Sequence, residues 1–217
     1  MRTSSAILLA CWSIALAAQA QGFKFSAPSE DEKQQAAAQA QRDANVAWQL
    51  STPCRDRIRN RKIMVLIGED RNGVTTTAQG SFGPHVDAIN SRLQSLGLKT
   101  YSAEQIRRQV AQEEVDAYFK NDPDRAMSAS KRLAAQYVLK GVIATRAVRN
   151  PIVNVNQVSV AMNFTLVDAS GRPVSTASAT NESYAGSDVS RMALTLIEER
   201  ADEVVARLYS EYCTNAR

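Results

Sequence analysis

The period of the apolar residues changes several times along this chain, and each change marks an element. Lys62–Gly68 (KIMVLIG) is a nearly continuous apolar run bounded by charge and glycine, the pattern of a strand buried on both faces and central in its sheet. Residues 69–83 carry three glycines and no sustained period, which predicts a long loop. A helix follows from Pro84, a favourable first-turn residue; Val86, Ile89, Leu93 and Leu96 lie on one face and Gly97 ends it. Leu98–Tyr101 reads as a short strand, and Ser102 with Gln105 forms a capping box opening one helix through Ile106, Val110, Val115 and Phe119.

Asp122 or Pro123 starts a further helix containing Met127, Leu133 and Ala134, and Tyr137–Val148 returns to a strand pattern. Asn150-Pro151 marks a turn or irregular link. Val158, Val160, Met162, Phe164 and Leu166 then alternate with Ser159, Ala161, Asn163 and Thr165, as a half-buried strand must. The compact turn Asp168–Gly171 leads into Val174–Ala179, giving an antiparallel hairpin. Val189, Met192, Ala193, Leu196, Ile197, Val204, Val205, Leu208 and Tyr212 fall on one helical stripe that must pack on the sheet. The order β-α-β-α-α-β-β-β-α predicts an α/β fold. Its mixed sheet has early parallel crossovers, a late antiparallel meander and a long C-terminal helix packed against it.

The first 53 residues follow another logic. Met1-Arg2, the apolar run Ala6–Ala17 and Ala18-Gln19-Ala20 have the three parts of a secretory signal, which predicts export to the periplasm and a signal peptide at 1–20. The apolar run is well short of the roughly 20 residues that span a bilayer, so no transmembrane segment is expected after its removal. Leu8-Leu9-Ala10-Cys11 looks like a lipobox, but cleavage there leaves a very short signal and strands an apolar stretch. Cleavage after Ala20 is therefore favoured over lipid attachment at Cys11, and peripheral outer-membrane association stays open. Residues 21–53 form a polar leader, partly helical or disordered. Within it Ser29 caps a helix with Glu30, Asp31 and Glu32 in its first turn, a shallow face of Ala36, Ala37, Ala40, Ala44 and Ala47, and Trp48 and Leu50 as anchors. Residues 54–217 are expected to form a single domain with one core.

Two stretches resemble a group of bacterial envelope proteins. Lys131–Ile143 (KRLAAQYVLKGVI) is similar to their helix-to-strand passage, and Phe164–Val174 (FTLVDASGRPV) to their strand-turn-strand. The group comprises the curli secretion channel subunit, lipoproteins that activate penicillin-binding proteins, a periplasmic component of Pel polysaccharide export and flagellar envelope accessory proteins. The resemblance runs from about Lys62 to Tyr212 and implies a domain related to the TolB amino-terminal and anticodon-binding folds. It implies assembly, export or regulation through protein contacts, including self-association, and no catalytic residue. Residues 69–83 and 149–157 are the only places for inserted pore strands, and neither alternates.

Charge and chemistry narrow the picture further. Removal of residues 1–20 takes away Arg2 alone among charged residues, so a formal charge of +4 becomes +3, too mild for a protein dominated by nucleic-acid binding. With Cys11 gone, Cys54 and Cys213 remain, an even number in an oxidising compartment, and are expected to form a disulfide clasp. His85 is the sole histidine, which excludes a multi-histidine metal site; no nucleophile elbow or phosphate loop is present, and no enzyme activity, metal or cofactor is expected. Glu113, Glu114 and Asp116 read as a solvated helix flank.

One charged feature stands out. Arg55, Arg57, Arg59, Arg61 and Lys62 recur mostly at every second residue, so that in an extended segment the arginines would project to one side. The expected function is an accessory role among envelope proteins, with 69–83 and the basic segment as contact surfaces. The alternative is a binder of anionic envelope polymer, such as polysaccharide, peptidoglycan or DNA, through Arg55–Lys62.

Overall fold

The computed structural model describes residues 29–71, 73–79, 83–152, 154–185 and 188–215. The expected signal peptide, Cys11 and the first part of the leader lie outside these residues. Six strands form one mixed sheet: β1 (Lys62–Arg71), β2 (Val74–Thr76), β3 (Lys99–Thr100), β4 (Tyr137–Arg149), β5 (Asn156–Asp168) and β6 (Pro173–Ala185). The order across it is β2-β1-β4-β5-β6, with β3 beside the start of β1. β1 pairs parallel with β3 and β4, and β4, β5 and β6 form the antiparallel meander.

The apolar run in β1 is continuous because the strand feeds two cores. Ile63, Val65 and Ile67 enter the larger one, and Met64 and Leu66 the smaller one on the opposite face. The larger core lies beneath α3 (Gly83–Ser95) and the long α7 (Val189–Asn215), joined by the alternate residues Val158 to Leu166 of β5. The smaller lies beneath α4 (Ala103–Gln109), α5 (Gln112–Phe119) and α6 (Pro123–Leu133). Those three short helices cover β1 and the start of β4 alone, so Asn163, Ser178 and Thr180 on the same side of β5 and β6 stay exposed.

Gly141 shows how closely the larger core is packed. It stands opposite Phe164 in the β4–β5 register, and a Cβ there would lie 2.2 Å from the ring. Phe164, 1% exposed, occupies the space that any other residue at 141 would need.

Three expectations are corrected. The loop at 69–83 is in its first part a hairpin: β1 runs on to Arg71, Gly73 turns at φ +83° with its N–H donated to Asp70 Oδ1, and β2 pairs back. Gln79 then acts as a surrogate strand residue. It is buried, accepts the Ile67 N–H at 3.1 Å and donates to the Ile67 carbonyl at 2.8 Å, covering the edge of β1 between β3 and β2. The single helix expected from Ser102 to Phe119 is two. The Ser102–Gln105 box starts α4, but the chain turns extended at Val110, and the Glu114 carboxylate caps the Ala111 N–H at 3.0 Å to start α5. Glu114 is therefore buried rather than solvated, and also accepts bonds from Ser128 and Arg132. Asp116 is half-buried and takes bonds from Thr77 and Gln112.

The leader helix α1 (Glu30–Leu50) carries the capping box of Ser29 and Glu32. It contacts α7, and its half-buried positions are Arg42, Val46, Gln49 and Leu50 rather than its alanines, while residues 29–41 are exposed throughout. Trp48 is no anchor, being 73% exposed, whereas Leu50 packs against the larger core. Alanine buries too little area to outcompete one valine and one leucine at the right spacing.

Candidate functional site

The extended geometry expected for Arg55–Lys62 does not form. Arg55–Ile58 closes one helical turn, α2, because Ile58 is drawn into the larger core and Cys54 is joined by a disulfide to Cys213 of α7, with Cα atoms 5.6 Å apart. The arginines therefore fan around a corner instead of lining one side. The Asn60 N–H donates to the Gly97 carbonyl at 2.8 Å, the Lys99 N–H to the Arg61 carbonyl at 2.8 Å, and the Lys62 N–H to Gln136 Oε1 at 3.1 Å. Behind the turn, Tyr209 donates to the Thr52 carbonyl at 2.5 Å. The Tyr137 and Tyr212 hydroxyls meet at 2.8 Å, and burial with this bond pushes the Tyr137 hydroxyl up to about 12.

This corner holds one cation that the sequence pattern missed. Lys99 stands beside Lys62 in the β1–β3 register, although 37 positions separate them in the chain. Arg55, Arg57, Arg59, Arg61, Lys62 and Lys99 are all exposed, and Asp56 is the only acid within 55–62. Several guanidinium groups elsewhere are paired: Arg92 with Asp202, Arg132 with Glu114, Arg172 with Asp168, Arg200 with Glu203. A cleft of about 400 Å³ flanks the corner, with Arg55, Arg57, Leu50 and Tyr209 on its walls.

The opposite end of the sheet is apolar. Among the described residues, Val74, Val148, Ile152, Val155 and Tyr184 are exposed large hydrophobics. They belong to the β1–β2 hairpin, the tip of the β4–β5 hairpin and the end of β6. The register puts Val148, Gln157 and Tyr184 in one row across three strands. Ile152, 90% exposed, crowns the tip, whose turn is closed by the Asn150 N–H donated to the Val155 carbonyl and by Arg149 donated to Asn154 Oδ1. Below it a groove of about 890 Å³ runs past Asp70, Ala144, Arg146, Ser159, Thr180 and Glu182. Single exposed hydrophobics are ordinary on a protein surface; here Val148 and Tyr184 share one register row across the sheet, with Ile152 and Val155 at the tip beside them. In the sequence its signal is faint: Ile152 and Val155 stand singly among polar residues beside a proline.

Among the described residues no Ser-His or Cys-His pair is seen at either end. His85 sits half-buried at the start of α3, and burial lowers its pKa, with Glu69 opposing the shift. Lys140 is held by the Tyr118 carbonyl and Asn121, and burial lowers its pKa as well. Among the described residues no group of three His, Cys, Asp or Glu is placed to hold a metal, and no helix is long and apolar enough to cross a membrane.

No family model matches the chain, and no curated protein matches it. Among solved structures it is similar to a PelC dodecamer from Paraburkholderia phytofirmans, with 18% identity and a TM-score of 0.41 over 69% of this chain and 88% of that one. It is also similar to lipoprotein GNA1162 from Neisseria meningitidis, with 15% identity and a TM-score of 0.47 over 66% and 96%. The LpoB C-terminal domain from Salmonella enterica follows, with 15% identity and a TM-score of 0.36 over 64% and 93%. At such identities these neighbours bring no partner, activity or residue role to this chain.

Proposed function

We propose that this protein is a non-catalytic accessory component of the bacterial envelope that docks onto another protein through the apolar end of its sheet. The observation that carries the reading is the exposure of Val148, Ile152, Val155 and Tyr184 at one end of the sheet, with Val148 and Tyr184 in one register row. Aromatic and aliphatic side chains of this kind anchor protein interfaces, where a few residues at the centre contribute most of the affinity. The row of exposed Val148 and Tyr184 with half-buried Gln157 between them, and the groove below it, offer a surface for a partner to fill.

The test is photo-crosslinking in the native envelope, with the reactive group placed at position 148, 152 or 184 and, for comparison, at Arg107. Adducts to one protein from the first three positions and none from Arg107, abolished by Ile152→Asp, are the expected result. Adducts of equal yield from Arg107, or none from the apolar end, would remove the reading. A ladder of self-adducts would make the partner a second copy of this chain.

A further inference from the structure

The basic corner calls for a different ligand from the one that fits the apolar end. Its backbone is immobilised before any ligand arrives: the Cys54–Cys213 disulfide, the bond from Asn60 to Gly97 and the bond from Lys99 to Arg61 hold it from three sides. Pre-ordering of this kind lowers the entropic cost of binding. Arg55, Arg59, Lys62 and Lys99 have no ion pair among the described residues, although the fold pairs guanidinium groups elsewhere. Arg55 lines a cleft of about 400 Å³ together with Asp56 and Arg57, and the cations set around the adjoining corner suit an extended ligand with repeated negative charge.

Carboxylates fit this surface better than a nucleic acid does. Guanidinium forks take carboxylates in paired hydrogen bonds as well as they take phosphates. Binding of single strands, however, depends on several aromatic rings that stack successive bases. Here Tyr209 and Tyr212 are buried, Tyr137 is bonded to Tyr212, and residues 55–62 contain no aromatic. One exposed ring lies nearby in the chain, Trp48 on the last turn of α1, just before the Leu50–Arg57 segment that lines the cleft. A single indole suits the apolar face of one sugar ring. A lipid surface is disfavoured, because the exposed aliphatic residues lie at the other end of the sheet.

We propose that the corner formed by α2 and the starts of β1 and β3 is a binding site for a carboxylate-bearing polysaccharide, with Arg55, Arg59, Lys62 and Lys99 as its cationic contacts and the adjoining cleft seating one sugar. This ligand is independent of the docking partner at the apolar end.

The test uses the full chain and polygalacturonate as the probe, with neutral dextran and duplex DNA as comparisons. At about 50 mM salt the protein is expected to bind polygalacturonate and ignore dextran, with affinity falling steeply as salt rises. Replacing Arg55, Arg59 and Lys99 together by Ala is expected to weaken binding at least about tenfold and to flatten the salt dependence, because three counterion-releasing contacts are gone. These side chains are exposed, so the variant's thermal melting should match that of the parent. The matched triple Arg107→Ala, Lys120→Ala and Arg191→Ala is expected to bind as the parent does. The proposal is overturned by no binding to polygalacturonate, by an equal loss in the matched triple, or by tighter binding to DNA than to polygalacturonate.

Discussion

Where β1, β3 and β4 begin, a disulfide and a set of long-range hydrogen bonds hold the backbone while Arg55, Arg59, Lys62 and Lys99 face solvent. Where β1 and β4 finish, the chain turns back on hairpins, and Val148, Ile152, Val155 and, at the end of β6, Tyr184 face solvent instead. The two ends suit different kinds of recognition. Charge acts over a Debye length and needs a fixed array of sites, so a rigid corner serves it. An apolar contact acts only at van der Waals range and tolerates adjustment, so a hairpin tip bonded mainly to itself serves it.

The largest effect expected from breaking this comparison comes from the disulfide. Cys54→Ala with Cys213→Ala opens a loop of 159 residues and should lower stability by up to about 5 kcal/mol in urea unfolding, with the loss of order centred on α2. Hydrogen exchange should rise first in the Cys54–Arg61 turn, and the β4–β5 tip should keep its protection; equal rises at both ends would show that the corner is not separately held. Next comes the packing between the ends. Gly141→Val forces Phe164 out of its place and should cost about 1–3 kcal/mol, read as a lower melting temperature.

At the apolar end, Ile152→Asp should leave stability within about 0.5 kcal/mol, since the side chain is exposed, while removing the crosslinked partner. Polygalacturonate binding by the same variant should be unaffected.

The smallest effect concerns pH and separates the ends by their titrating groups. His85 lies beside Glu69 in the later part of β1, and its pKa is lowered from 6.5, so the folded state favours the neutral ring. The unfolded chain then takes up a proton first as pH falls, and stability that is full above pH 6.5 declines below it. His85→Asn should flatten the melting temperature between pH 7 and about 5. At the β5–β6 turn, on the same end of the sheet as the basic corner, burial pushes the Asp168 carboxyl up, but bonds from Ser170 and Arg172 outweigh it and hold the group below its ordinary 3.8. Its contribution should be lost only as pH falls through that range and below, visible as a separate acid limb that Asp168→Asn removes.

Much of the architecture was legible where neighbours a few residues apart decide the outcome. The two-sided apolar run of β1, the Ser102–Gln105 box, the Asp168–Gly171 turn and the stripe of α7 are local patterns, and each forms. The break between α4 and α5 was hidden because Glu114 looks like any helix-surface acid until Ser128 and Arg132 of α6 reach it. Gln79 was hidden for the same reason: its partner is the Ile67 backbone, and no side-chain period reports that.

The candidate surfaces divide in the same way. The density of cations between Arg55 and Lys62 is a property of the sequence, but their fan-like display is not. It arises because Ile58 gains more by entering the core than an extended segment gains in solvent. Lys99 joined Lys62 only when β3 took its register beside β1, and Val148 met Tyr184 only across β5. By itself the sequence determined the periods, caps and turns, because those depend on contacts within a few residues. Tertiary structure alone decided which distant residues share an end of the sheet, because strand register fixes position across the sheet whatever the separation along the chain.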